Sequence, residues 1–276
     1  MIGTKEIARH YNSGQLLRRI SEGCAALGLT PPMSPDALAA VDEFHIGGRS
    51  ATAPFVTALQ LSAGSRVLDL GCGIGGPARH VAATTGAYVT GIDLTPEFVE
   101  TGRALTDWTG LSDRVRLVEG SVLELPLEAD TMDTAYMIHV GMNIADKTGI
   151  AREAARVLRP GGVFAIYDVM QVREGRMDYP APWAASSDQS ALASPETYEA
   201  VLEAAGFVVT GRIDRTAFAR RFFADLAAAQ GSGDGPPPLG LHLIMGDDTA
   251  LKVRNMVHGI QAGLIAPIEI HARLPD

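Results

Sequence analysis

The chain has 276 residues, 46% of them hydrophobic, and a formal net charge of −9, enough apolar side chain for a sizeable core and the wrong sign for a phosphate-binding face. No lysine- and arginine-rich run points to a nucleic-acid partner, and two cysteines, Cys24 and Cys72, cannot make a disulfide framework. With no run of about 18 apolar residues and no charged start leading to an apolar core and cleavage site, the sequence reads as soluble, cytoplasmic and without a membrane partner.

Residues 1 to 30 read as an amphipathic helix, with Ile7, Leu16, Leu17 and Ile20 set among Arg9, Arg18 and Arg19 and with His10 and Tyr11 near its start. Either it packs on the core or it caps a site. Pro31, Pro32 and Pro35 break the chain. D-E-F-H-I-G-G-R-S-A-T follows, at residues 42–52, with Ser50 or Thr52 placed to cap the next helix and Pro54 in its first turn. His45 in this stretch reads either as a hydrogen-bonded structural histidine or as site material, and Gly47-Gly48 suggests a close backbone approach.

Alternation of strands and helices begins near residue 63. The expected elements are a strand over 66–70, a helix from Pro77 to Thr84, and a strand from Tyr88 to Ile92 ending on Asp93. A helix from Pro96 to Trp108 and a strand from Val115 to Val118 come next, then E-G-S-V-L-E-L-P-L. A fourth strand, Met132 to Ile138, runs into H-V-G-M-N-I-A-D-K. A helix from Asp146 to Leu158, the turn R-P-G-G and a strand from Val163 to Val169 close the repeating part.

Met177 to Ser190 is rich in proline, aromatic and small residues and reads as an irregular segment across a site mouth. A helix (Pro195 to Ala205) and a strand (Phe207 to Ile213) resume the pattern. A further helix spans 216–229, G-S-G-D-G-P-P-P is an exposed loop, Gly240 to Gly263 is helical, and Leu264 to Ala272 is a last strand pairing antiparallel with the sixth. Phe222, Phe223, Leu241, Leu243, Ile244 and Met245 add apolar surface for a bulky substrate or for the face of a homodimer.

The chain turns on Arg66 to Val81, R-V-L-D-L-G-C-G-I-G-G-P-A-R-H-V. A short apolar strand breaks into glycines and then a helix, so ligands can approach backbone N–H groups closely. Gly71, Gly73 and Gly76 satisfy the dinucleotide spacing G-x-G-x-x-G, and a nicotinamide-dependent oxidoreductase is one reading. Asp69, two residues before the first glycine, would repel a pyrophosphate and attract a cationic amino group. Asp93, one strand–helix–strand unit later, can accept both hydroxyls of a ribose, although an N-terminal helix cap is its plainer role. His139 stands at a strand's carboxyl end, where parallel-sheet proteins bind ligands. A near-neutral pKa would suit it to take a proton, and orienting a substrate hydroxyl is the competing role. Asn143 beside it can bond a substrate carboxylate or carbonyl. Tyr179 and Trp183 can form an aromatic wall for a cationic amine or flat ring, or simply pack a lid. His242, His258 and His271 lack metal-ligand spacing, and no metal is expected.

D-L-G-C-G-I-G-G, followed in order by the Asp93 strand end and L-R-P-G-G-V-F-A-I-Y-D-V, resembles class I S-adenosylmethionine-dependent methyltransferases over about residues 60–215. The flanking pieces are similar to the sarcosine and dimethylglycine N-methyltransferase-like enzymes. The resemblance implies a doubly wound, mostly parallel seven-stranded α/β sheet and S-adenosylmethionine as cofactor, leaving S-adenosylhomocysteine. It also implies an N-terminal helical cap (1–60), a cofactor-binding core (61–215), a helical lid insertion (216–263) and a final strand (264–276). Tyr11 would close over the methionine end, and His45 would border cofactor and substrate. Asp69, Gly71, Gly73, Asp93, Leu94, Ser121 and Val122 would hold the cofactor. The family usually has an aspartate for the adenine amino group where this chain has Gly120-Ser121-Val122, so adenine would lean on Ser121, the Val122 backbone, Leu94 and Leu123. The implied activity is methylation of a small molecule by in-line displacement, on nitrogen or oxygen. C-methylation of an electron-rich ring or enol, and a cofactor-binding regulator without catalysis, are the alternatives.

Overall fold

A computed structural model describes residues 15–230 and 236–276. Strands β1 (Arg66–Leu70), β2 (Tyr88–Asp93), β3 (Val115–Glu119), β4 (Met132–Ile138), β5 (Leu158–Gln171), β6 (Val208–Asp214) and β7 (Ile265–Arg273) form one sheet in the order β3-β2-β1-β4-β5-β7-β6. β1 to β5 pair in parallel, and β7 inserts antiparallel between β5 and β6. It therefore pairs with the fifth strand as well as the sixth. The sheet is doubly wound, with the strand order reversing between β1 and β4, where such folds open a crevice.

Helices α1 (Leu16–Ala26), α2 (Arg49–Ala58), α3 (Gly76–Thr85), α4 (Pro96–Trp108), α5 (Lys147–Val157), α6 (Pro195–Ala204), α7 (Thr216–Gln230) and α8 (Thr249–Gln261) surround it. On one face Phe55 of α2, Val81 of α3 and Val99 of α4 pack on Val67, Val89 and Tyr136. On the other, Ile150 and Ala154 of α5 and Leu202 of α6 pack on Leu68, Phe164 and Ile270. β1 and β4 are covered on both sides, which is why their apolar residues do not simply alternate with polar ones. Each such side chain withdrawn from water contributes about 1.5–3 kcal/mol before ordering entropy. None of the described helices is long and apolar enough to cross a membrane.

Three local expectations are corrected. The α2 cap is Gly48, at φ +48°, with no side-chain hydrogen bond, and Pro54 lies inside the helix. Thr52 is drawn away from capping by partners described below. R-P-G-G does not separate helix from strand: pairing starts at Leu158 with Met132 and resumes at Val163 with Thr134, so the turn is an irregularity within β5. The helix expected over 240–263 is broken into a short turn (His242–Met245) and α8, because Gly246 at φ +83° takes a conformation that L side chains rarely adopt.

Candidate active site

A cavity of about 300 Å³ lies over the carboxyl ends of β1 to β4. β1 contributes Asp69 and the turn Gly71–Ile74, β2 contributes Asp93 and Leu94, and β3 contributes Gly120, Ser121, Val122 and Leu123. β4 runs out into Ile138, His139 and Val140, with Asn143 just beyond. The stretch before α2 covers this end with Asp42, Phe44 and His45.

The turn after β1 has the shape its glycines allow. Gly71 is at φ +73°, and a Cβ there would meet the Val140 side chain at 2.4 Å. At Gly76, the first residue of α3, an added Cβ would stand 2.0 Å from the Asp42 carbonyl, so the segment before α2 lies directly on the helix start. Gly73 has open space at the equivalent position and donates its N–H to Asp93 Oδ2 at 2.8 Å. Asp93 Oδ1 accepts from Thr95 N at 2.9 Å. One carboxylate thus joins the turn to the start of α4, and it lines the cavity. Burial raises its pKa above the ordinary range.

Asp69 is 2% exposed, and Tyr136 donates to its Oδ2 at 2.9 Å. Burial, opposed by that hydrogen bond and reinforced by the negative charges of Asp93 and Glu43, lifts its pKa to about 8. A buried, under-compensated carboxylate beside a glycine turn suits an ammonium ligand and disfavours a diphosphate. Burial also pushes the Cys72 thiol well up, so it is no nucleophile.

His139 has a non-glycine backbone at φ +53°, a conformation that costs of order 1–3 kcal/mol and is found where structure over-determines it. Its N–H donates to Tyr167 O at 2.7 Å and so prolongs the β4–β5 ladder. Nδ1 stands 3.2 Å from the same carbonyl and donates to it, while Nε2 accepts from Ile46 N at 3.3 Å. The expected near-neutral imidazole is corrected: burial, with His45 nearby, brings the pKa down to about 3. Both ring nitrogens are engaged, so His139 is a neutral anchor in the cavity wall.

His45 faces it, ring centroids 5.8 Å apart. Its Nε2 lies 2.9 Å from Thr52 Oγ1, 3.2 Å from Gly48 O and 3.4 Å from Glu43 Oε2. Burial lowers the imidazole to about 4 and raises Glu43 to about 7.

Asp69, Gly71, Gly73, Asp93, Leu94, Ser121, Val122, His45, His139 and Asn143 are all brought to this one cavity. Tyr11 lies outside the described residues. Tyr179 and Trp183 are corrected, since neither lines the cavity. Trp183 is 3% exposed in a cluster with Met177, Ala181 and Met256, donates to Ser190 Oγ at 2.9 Å, and has Tyr179 packed against that cluster. Apolar burial against α8 outcompetes presentation to a ligand.

Sequence reasoning passed over Asp42, Phe44 and Glu43. Asp42 forms a fully buried ion pair with Arg79 at 2.7 Å, which fastens the covering segment to α3. The available signal was an acidic pair directly before an apolar-aromatic run and a glycine pair. Among the described residues no group of His, Cys, Asp and Glu could hold a metal ion.

A methyltransferase-domain family model matches residues 68–166. The methyltransferase GfsG of Streptomyces halstedii is 33% identical over 209 residues, covering 74% of this chain and 73% of that one. Sterol 24-C-methyltransferase ERG6B of Gibberella zeae is 37% identical over 105 residues, 38% of this chain. That match spans only 28% of the fungal enzyme's length. Among solved structures, the geranyl diphosphate C-methyltransferase of Streptomyces coelicolor A3(2), held with S-adenosyl-L-homocysteine, shares the fold. The TM-score is 0.69 at 18% identity, covering 98% of this chain and 97% of that chain.

Proposed function

The chain belongs to the class I S-adenosylmethionine-dependent methyltransferases, and on that premise we propose that it methylates a nitrogen or oxygen of a small molecule held at the carboxyl end of β4. The nicotinamide reading falls with that membership. The observation that carries the choice of nitrogen or oxygen is the pair His45 and His139, two neutral imidazoles 5.8 Å apart in the wall of a cavity whose strand-end acids, Asp69 and Asp93, lie on β1 and β2. Such groups suit an acceptor that has an N–H or O–H to orient and a proton to lose.

When bound, S-adenosylmethionine supplies an electrophilic methyl on sulfonium sulfur. In this reading Asp69 faces its amino group, and Asp93 accepts from the ribose hydroxyls. Leu94, Ser121 and Val122 flank the adenine, and Gly71 and Gly73 leave room for close backbone approach. His139, held by Tyr167 O and the Ile46 N–H, braces the wall beside the acceptor, and Asn143, whose Nδ2 donates to Val140 O at 3.1 Å, leaves its carbonyl oxygen to accept a substrate donor. Much of the acceleration then comes from holding nucleophile and methyl in line and excluding water. Residues 1–60, with Tyr11, and 216–263 serve as cap and lid over a core of 61–215 completed by 264–276, and Ile244 from the lid lines the same cavity. The protein acts in the cytoplasm, and exposed apolar positions outside the site leave a homodimer as a further proposal.

C-methylation is the second reading, favoured by the sterol relative's name. Incubation with methyl-labelled donor over a panel of amines, phenols, alcohols, 2-oxo acids and alkenes separates the two. Label on nitrogen or oxygen is expected. Label on carbon favours the second reading, and donor binding without turnover favours a regulator.

A further inference from the structure

We propose that His45, Thr52 and Glu43 form a proton relay that carries the acceptor's proton out of the cavity, making His45, and not His139, the base for methyl transfer. The inference rests on the acceptor carrying an N–H or O–H.

The relay follows from which atoms are taken. Thr52 Oγ1 has two acceptors, Glu43 Oε2 at 2.5 Å and Gly48 O at 3.4 Å, and the much shorter contact takes its proton to the carboxylate. Its 2.9 Å contact with His45 Nε2 therefore has the imidazole as donor. The Gly48 carbonyl, 3.2 Å from the same nitrogen, can only accept, and it fixes the same tautomer. His45 is then an Nε2–H imidazole. Its Nδ1 has a lone pair, takes no hydrogen bond among the described residues, and belongs to a residue that lines the cavity. His139 is the opposite tautomer, with Nδ1–H on Tyr167 O and Nε2 closed by Ile46 N–H. Of the two imidazoles, only His45 has a nitrogen free to take a proton from a ligand.

Behind His45 the carboxylate is ready. Both Glu43 and Thr52 are buried, and Arg49 Nη2 lies 3.1 Å from Glu43 Oε1. As the acceptor's lone pair forms its bond to the methyl carbon, the S–C electron pair stays with sulfur. The acceptor's proton passes to His45 Nδ1, the Nε2 proton to Thr52 Oγ1, and the Thr52 proton to Glu43 Oε2. The products are methylated acceptor, S-adenosylhomocysteine and one proton on Glu43, which later goes to solvent. Protons and charge balance without another reactant. The groups facing His45 from neighbouring elements are Glu43, Arg49, His139 and Tyr167. Burial keeps His45 neutral at pH 7, and Glu43 near neutrality can both take and release the proton.

Two measurements test the relay. Long-range ¹H–¹⁵N spectra of histidine-labelled protein, free and with S-adenosylhomocysteine, are expected to show His45 as Nε2–H and His139 as Nδ1–H. His45 as Nδ1–H overturns the relay. This result needs no methyl acceptor, so a panel in which nothing is methylated counts against the proposed function and not against the relay. With any amine, phenol or alcohol that is turned over, His45→Gln is expected to lower kcat about a hundredfold. Thr52→Val should lower it about tenfold and Thr52→Ser restore it, with KM for donor unchanged in all three. Loss in Thr52→Ser equal to that in Thr52→Val marks a packing role and overturns the relay, as does unaltered kcat in Thr52→Val.

Discussion

The Tyr136 hydroxyl donates to Oδ2 of Asp69 at 2.9 Å, and both side chains are buried where β1 and β4 pair. Asp69↔Tyr136 are partners in the β1–β4 register, so the sheet itself sets the phenol beneath the carboxylate. Tyr136→Phe removes the one hydrogen bond that opposes burial at Asp69. S-adenosylhomocysteine is expected to bind more weakly at pH 7, by roughly 1–2 kcal/mol, and titration calorimetry against wild type measures it.

Donor affinity should depend on pH through Asp69. In the free protein its carboxyl titrates at about 8, and a cationic ligand beside it favours the ionised form, so the pKa in the complex is lower. Binding therefore releases a proton below about pH 8. Affinity is full above that value and falls as pH drops from about 8 towards the pKa of the complex. Calorimetry in buffers of different ionisation heat reads the released proton directly. Affinity that is flat from pH 6 to 9 contradicts this.

Asp42 and Arg79 are paired with both side chains fully buried, and Arg79 also donates to Gly102 O and Thr106 Oγ1. Asp42→Ala leaves a buried guanidinium without its counter-charge and should cost about 3–5 kcal/mol of stability. Urea unfolding measures the loss. Asp42→Ala with Arg79→Met should recover part of it, because the stranded charge is then gone.

His139 is expected to contribute no limb to the pH dependence of kcat near its ordinary value, since its imidazole sits at about 3. His139→Asn, a residue that tolerates positive φ, should fold with near-wild-type stability and the same profile shape. His139→Val should lose about 1–3 kcal/mol through backbone strain. Thermal unfolding and a rate profile from pH 5 to 9 check both.

The repeating core was legible because proline and glycine punctuate it. Pro96 opens α4, and the expected bounds from Pro96 to Trp108 are those observed. Asp69, Asp93 and His139 could be placed because each stands at or next to a strand's carboxyl end, and strand ends converge in a parallel sheet. The tertiary partners that change a residue's task were not legible. Thr52 looks like a helix cap but lies among Glu43, His45 and the Gly48 carbonyl. His139 loses its neutral-pH titration to burial, and to an N–H from Ile46, 93 residues away. Trp183 reads as a binding aromatic, yet α8, more than 60 residues later, supplies the surface that buries it.

The most direct test of the site is S-adenosylhomocysteine titration of wild type and Asp93→Ala by calorimetry. Wild type is expected to bind one equivalent per chain. Asp93→Ala, which loses the anchor for Gly73 N–H and, in the proposed site, the ribose contacts, should bind more weakly by roughly 1–3 kcal/mol. No heat with wild type, or equal affinity in the two proteins, would contradict a cofactor seated over the carboxyl ends of β1 and β2.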